Sequence, residues 1–134
     1  VNSQLYPKAR QRFGKAQLNW EAHDFRVVFM AATYNPDFTD EFISEVSPLS
    51  RIATSSLLTN LTITDGIARA DPIEFGLIAD SRQISQAILY RDTGDESTSP
   101  VVFYFGEEDL VGEPFVPVGL EYFIYMPEGG LFRL

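Results

Sequence analysis

Residues 57–70 read LLTNLTITDGIARA. From Thr59 onward the pattern alternates. Leu61 and Ile63 fall on one face of an extended chain, and Thr62 and Thr64 on the other. Asp65-Gly66 follows, the strongest hairpin signal in the chain, because both residues tolerate the positive φ of a tight two-residue turn. The alternation predicts a strand over 57–64 paired with a second over 67–70. Outward from this hairpin the same grammar repeats. Asp71-Pro72 punctuates, and 73–75 (IEF) continues as strand. Residues 84–90 (ISQAILY) and 101–105 (VVFYF) are apolar strands, the second expected in the centre of a sheet. Between them 92–100 (DTGDESTSP) is turn-rich and reads as a long hairpin loop. Residues 119–125 place Leu120, Tyr122 and Ile124 against Glu121, Phe123 and Tyr125, so both faces are partly apolar. Gly129-Gly130 turns the chain before a final LFRL at 131–134.

Upstream, 25–32 (FRVVFMAA) is a buried-strand pattern, and 51–54 (RIAT) a short strand. Two short helices are expected. One spans 5–15, with Ser3 as cap, Pro7 in the first turn, Gly14 at the end, and Leu5, Ala9 and Phe13 on one face. The other spans 39–46 (TDEFISEV), capped by Thr39 and stopped by Pro48. Many short strands, few helices and no alternating β-α units predict an all-β fold, an antiparallel β-sandwich or jelly-roll-like architecture.

The 134 residues are the length of a single β domain, 1–134, with 1–22 as an N-terminal helical docking arm. Ordinary composition, 45% hydrophobic and 22% charged, excludes a disordered chain. No apolar run approaches the length of a membrane-spanning helix, and VNSQLYPKARQRF at the start has no apolar signal region. The net charge of −9 argues against nucleic acid as a partner. The charge is uneven. Residues 1–26 hold five basic and two acidic residues, and 27–134 hold five and seventeen. A basic arm on an acidic body is suited to docking on another acidic surface or on a copy of itself.

Catalytic patterns are sparse. Cysteine is absent, which removes disulfides, thiolate metal sites and cysteine nucleophiles together. His23 is the lone histidine, so neither a triad nor a zinc site can be assembled from recognisable spacing. The serines lack a G-x-S-x-G setting, and Gly129-Gly130 lacks the Lys-Ser/Thr of a phosphate loop. The carboxylate groups Asp92, Asp95, Glu96 and Glu107-Glu108-Asp109 offer oxygen ligands for calcium. They do not match the twelve-residue calcium loop and read as solvated acidic loops. Asn60-Leu61-Thr62 matches a glycosylation sequon inside a strand segment.

Ordered along the chain are Leu5-Tyr6-Pro7-Lys8, Trp20 ahead of Val27-Val28, and RIATS at 51–55. Leu58-Thr59, TITDG at 62–66, and Asp71 with Phe75 follow. ILYRDTG at 88–94, Thr98-Ser99 and FRL at 132–134 complete the series. In this order and spacing the chain resembles a family of small structural proteins of tailed bacteriophages. It departs from that family's pattern between Gly106 and Tyr125.

The resemblance implies a non-enzymatic virion protein on the outer capsid surface, a decoration or cement protein without cofactor. Its partners would be the major capsid protein and copies of itself, as a homo-dimer or homo-trimer, with no nucleic acid and no membrane. A neck, tail or fibre part is the alternative, and a small glycan hydrolase built on two carboxylates is a remote one. The residues expected to touch a partner are those of the two termini: Leu5, Tyr6, Lys8, Arg10, Arg12, Phe13, Phe132, Arg133 and Leu134. On that expectation, removal of residues 1–15 abolishes capsid binding without unfolding the body.

Overall fold

A computed structural model of the chain describes residues 2–106 and 109–134. The elements run β1 (Gln4–Leu5), α1 (Pro7–Gly14), β2 (Phe25–Ala31), β3 (Arg51–Thr54), β4 (Thr62–Thr64), β5 (Ile67–Arg69), β6 (Ile73–Leu77), β7 (Ile84–Arg91), β8 (Val101–Phe105), β9 (Glu121–Ile124) and β10 (Phe132–Arg133). All pairings are antiparallel, in sheets of order β1-β8-β7-β2-β3, β10-β5-β4 and β6-β9. The fold is an all-β sandwich with one short α-helix. Five, three and two strands do not reproduce the eight-stranded double sheet of a jelly roll.

The five-stranded sheet is covered on both faces, which is why β2 (FRVVFMA) has almost no polar alternation. Cross-strand partners share a face. Phe29, Ala87 and Phe105 line up across β2, β7 and β8, and Val28, Ile88 and Tyr104 line up on the other side. On the Phe29 face, the ring of Phe75 from β6 stacks at 3.8 Å, and Phe115 meets Phe29 edge-on at 5.9 Å. On the same face Phe25 packs under Trp20 at 4.6 Å, and Phe103 under Phe132 at 5.7 Å. Trp20 also donates its indole N–H to the carbonyls of Thr62 (3.0 Å) and Arg69 (3.2 Å), pinning the β4–β5 hairpin. On the opposite face, Phe38 lies against Tyr104 (5.5 Å) and Tyr6 (5.6 Å). There Gln86 is buried with its amide donating to the carbonyls of Ala31 and Tyr34 (both 3.0 Å), and it accepts from the Tyr104 hydroxyl.

The hairpin read at 65–66 is present. Asp65 and Gly66 have φ of 53° and 79°, and Thr64 pairs with Ile67. Its first strand is shorter than the alternation predicts, covering only Thr62–Thr64. The preceding segment follows β2 instead, with Ser55 N–H donating to Val27 O (2.8 Å) and Leu58 N–H to Phe25 O (2.9 Å). The helix expected over 39–46 is replaced by one 3-10 turn, Ile43–Glu45. Asp37 Oδ1 accepts the Thr39 N–H, and the backbone around Phe42 bonds across to the start of β8. Ile43 N–H reaches Ser99 O at 2.9 Å, and Glu41 O accepts from Val101 N–H at 3.0 Å. An eight-residue helix has little stability of its own, so these long-range bonds win.

The N-terminal segment does not stand off as an arm. Gln4 and Leu5 pair with Tyr104 and Phe103 as the edge of the large sheet. Tyr6 and Ala9 are fully buried, and Leu18 and Trp20 are core residues. Ser3 is not a helix cap. Its hydroxyl accepts the Gly106 N–H at 2.9 Å and joins the sheet edge, while Tyr6 occupies the capping position of α1. At the other terminus Gly130 approaches β5 so closely that a Cβ would stand 2.6 Å from Ile67 Cγ2, at a φ of 77° that already favours glycine.

Removal of residues 1–15 therefore deletes core. The truncated chain is expected to unfold at a clearly lower urea concentration than the full chain, read by the fluorescence of the buried Trp20. An unchanged midpoint would contradict this integration of the N-terminus.

Candidate functional site

The residues expected to touch a partner divide by environment. Leu5, Tyr6 and Phe132 are buried inside the chain's own core and present no side chain to a partner in this conformation. Phe13 is half-buried on Phe132 at 6.0 Å, so the structure does bring α1 and β10 together, but as packing. Arg12 pairs with Glu41 (2.7 Å) and lies over the Phe42 ring at 5.2 Å. Lys8, Arg10, Arg133 and Leu134 are exposed.

The acidic stretch at 92–99 is occupied with building its own turn. Asp92 accepts from Arg26 (2.6 Å) and from the Gly94 N–H, Asp95 from the N–H and hydroxyl of Ser97, and Glu96 from Arg51 (3.0 Å). These bonds hold the carboxyls of Asp92 and Asp95 below the usual range. Among the described residues no group of three His, Asp or Glu side chains has the arrangement to hold a metal ion; Glu107 and Glu108 lie outside them. His23 accepts the Asn19 N–H on Nδ1 (3.1 Å) and closes a local turn.

The surface that stands out is the outer face of the β6–β9 ribbon. The register pairs Ile73 with Ile124, Glu74 with Phe123 and Phe75 with Tyr122. Alternation then sends Ile73, Phe75, Tyr122 and Ile124 toward the core and Glu74, Glu121, Phe123 and Tyr125 outward. Phe123 is 45% and Tyr125 74% exposed. The inner side chains fix the outer ones, because Phe75 is locked on Phe29 and Tyr122 on Phe115 at 5.0 Å.

Two features sit on this face. One is a groove of about 390 Å³ between the ribbon and the segment after β3, lined by Ser56, Leu57, Asp71, Glu74, Phe123 and Tyr125. A smaller depression past Glu74 adds Glu121. Outward aromatic rings beside carboxylates suit a cationic or amphipathic occupant: the rings attract a cation over their faces, and the carboxylates accept its N–H groups. The other feature is an apolar end, where the chain turns from residue 116 into β9. Leu77 and Val118 are each 71% exposed and Leu120 61%. The turn is held by Gly119 at φ 77°, by Val118 N–H donating to the Tyr122 hydroxyl (3.0 Å), and by Ile78 N–H reaching Leu120 O (3.4 Å). The sequence signal for this face was the two-sided apolar pattern of 119–125; which side faced out depended on pairing with β6.

No protein-family model matches the chain, and a search of the curated proteins gives no match.

One group of shifted titratable residues lies on the other face of the large sheet. Asp40 is buried next to Asp37 and Glu45, and this burial, with the neighbouring charges, raises its pKa from 3.8 to about 6. Tyr6 and Tyr34 beside it are raised by burial as well. The native state holds the Asp40 proton more tightly than the unfolded chain does. Its stabilising contribution is thus complete below pH 3.8 and lost as pH rises through about 6. Asp37, Asp92 and Asp95 act in the opposite sense, their contribution being lost as pH falls through their lowered native values. Replacing Asp40 by Asn should raise the thermal midpoint at pH 7 relative to wild type and leave it little changed at pH 4. An equal effect at both pH values would contradict the raised pKa.

Proposed function

We propose that the protein is a non-enzymatic virion structural protein, a decoration protein that binds the outer surface of a tailed-phage capsid and stabilises the filled head. The observation that carries this reading is the apolar end at Leu77, Val116, Val118 and Leu120. These apolar side chains are exposed where the chain turns into β9, and a backbone bond from Ile78 N–H to Leu120 O ties the turn to the end of β6. Patches of this kind mark protein contact sites. The resemblance in the order of short motifs to small phage structural proteins supports the major capsid protein as the partner. A module that binds only the assembled shell stabilises that shell by mass action. The net charge of −9 suits an outer surface and suits a phosphate-filled lumen poorly. Of the terminal residues expected at the contact, Leu5, Tyr6 and Phe132 are buried while Lys8, Arg10, Arg133 and Leu134 stay exposed, and the ribbon end adds a second docking surface.

Quantitative mass spectrometry of purified virions tests the assignment. Copies in the hundreds, in fixed ratio to the capsid protein, are expected. A dozen copies or fewer would make the protein a neck, tail or fibre part, and absence from the particle would discard the virion reading.

The docking surface has its own check. The double variant Leu77→Asp/Leu120→Asp should keep the wild-type unfolding curve while binding to heads falls at least ~10-fold, as for loss of apolar anchors at an interface. Unimpaired binding would remove the ribbon end from the contact.

A further inference from the structure

The chain carries two exposed surfaces of opposite charge, built on different elements of the fold. The first is the solvent side of α1. Ala9 faces the core, which leaves Lys8, Arg10 and Lys15 around Gln11 on the outer half of the helix. The helix contains no acidic residue, and among the described residues these three cations form no ion pair, in contrast to Arg12, which is held by Glu41. The second surface is the ribbon groove, with Asp71 and Glu74, the adjoining Glu121, and the outward rings of Phe123 and Tyr125. The helix sits beside β1 and β8, where Tyr6 N–H bonds to Val102 O at 3.0 Å. The groove wall at Ser56 follows β3, the strand at the other end of the sheet order.

From this placement we infer that the protein associates head to tail, the basic face of α1 of one copy seating in the acidic aromatic groove of the next. Lysine and arginine nitrogens meet Asp71, Glu74 and Glu121. Arg10 has Tyr125 and Phe123 as stacking partners. The contact joins two different surfaces, so it is heterologous and closes into a ring or continues as an open chain. This goes beyond binding to a capsid and does not depend on it; the apolar end at Leu77 and Leu120 stays free for another partner. Contacts between exposed charges are individually weak and screened by salt, so association in the micromolar range, roughly 1–100 µM, is expected.

The experiment uses the purified chain in sedimentation velocity at about 0.3 mM, well above that range. Wild type should sediment as oligomers, and a rise from ~0.05 to ~0.5 M salt should weaken association at least ~10-fold as the Debye length shrinks. The helix variant Lys8→Glu/Arg10→Glu/Lys15→Glu and the groove variant Glu74→Lys/Glu121→Lys should each be monomeric, with unchanged circular dichroism and Trp20 emission. Mixed together they should associate again, because the intact helix of one meets the intact groove of the other and the two reversed surfaces also meet. The combined five-site variant should associate again. A monomeric wild type, oligomers indifferent to either set of reversals, or a mixture that stays monomeric would each overturn the proposal.

Discussion

The stack of Phe29 on Phe75 joins the two layers of this molecule, and most of its surface geometry follows from it. Phe29 comes from β2, second from one edge of the five-stranded sheet; Phe75 comes from a ribbon of only two strands. A two-stranded ribbon is marginal in water unless one face is buried. Here Ile73, Phe75 and Ile124 provide that face, with Tyr122 half-buried against Phe115. Burying alternate residues forces Glu74, Glu121, Phe123 and Tyr125 to the outside. The exposed rings are therefore a consequence of the core, and the groove they line has a wall anchored in it.

A second constraint is that the large sheet has no wet face. Phe25, Val27 and Phe29 point to the ribbon and hairpin layer, while Val28 and Met30 point to the segment 32–46. Sequestering both faces buries backbone and polar groups that then need partners. Gln86 answers this by bonding Ala31, Tyr34 and Tyr104 at once, and Arg51 by donating to the carbonyls of Ile43 and Val46 as well as to Glu96. The acidic turn at 92–99 is spent in the same way. Carboxylates that look available in the sequence are turn-builders there, whereas those on the ribbon face border open grooves.

Elements whose signal is local and strong were legible. The β2, β7 and β8 runs are mostly apolar because both faces are covered, and Asp65-Gly66 declares its turn by itself. Elements decided by distant partners were not. The pattern at 39–46 is amphipathic enough for a helix, but the backbone at Glu41 and Ile43 bonds across to Ser99 and Val101. Leu5 and Tyr6 read as anchors on a free arm because β1 has only two residues and no strand signature; its pairing with β8 makes them core. The ribbon face was half legible. Alternation at 119–125 was visible, yet only the register with β6 decides that Phe123 and Tyr125, rather than Tyr122 and Ile124, face outward.

The account rests on the ribbon being a fixed platform. Native-state hydrogen exchange measures this directly, amide by amide. If the Phe29–Phe75 stack locks the layers, the ladder amides of β6 and β9 should be strongly protected and open together with those of β2 and β7. Ribbon amides that exchange far faster than the large sheet would contradict it, since a surface that opens on its own cannot hold its outward rings in place for a partner.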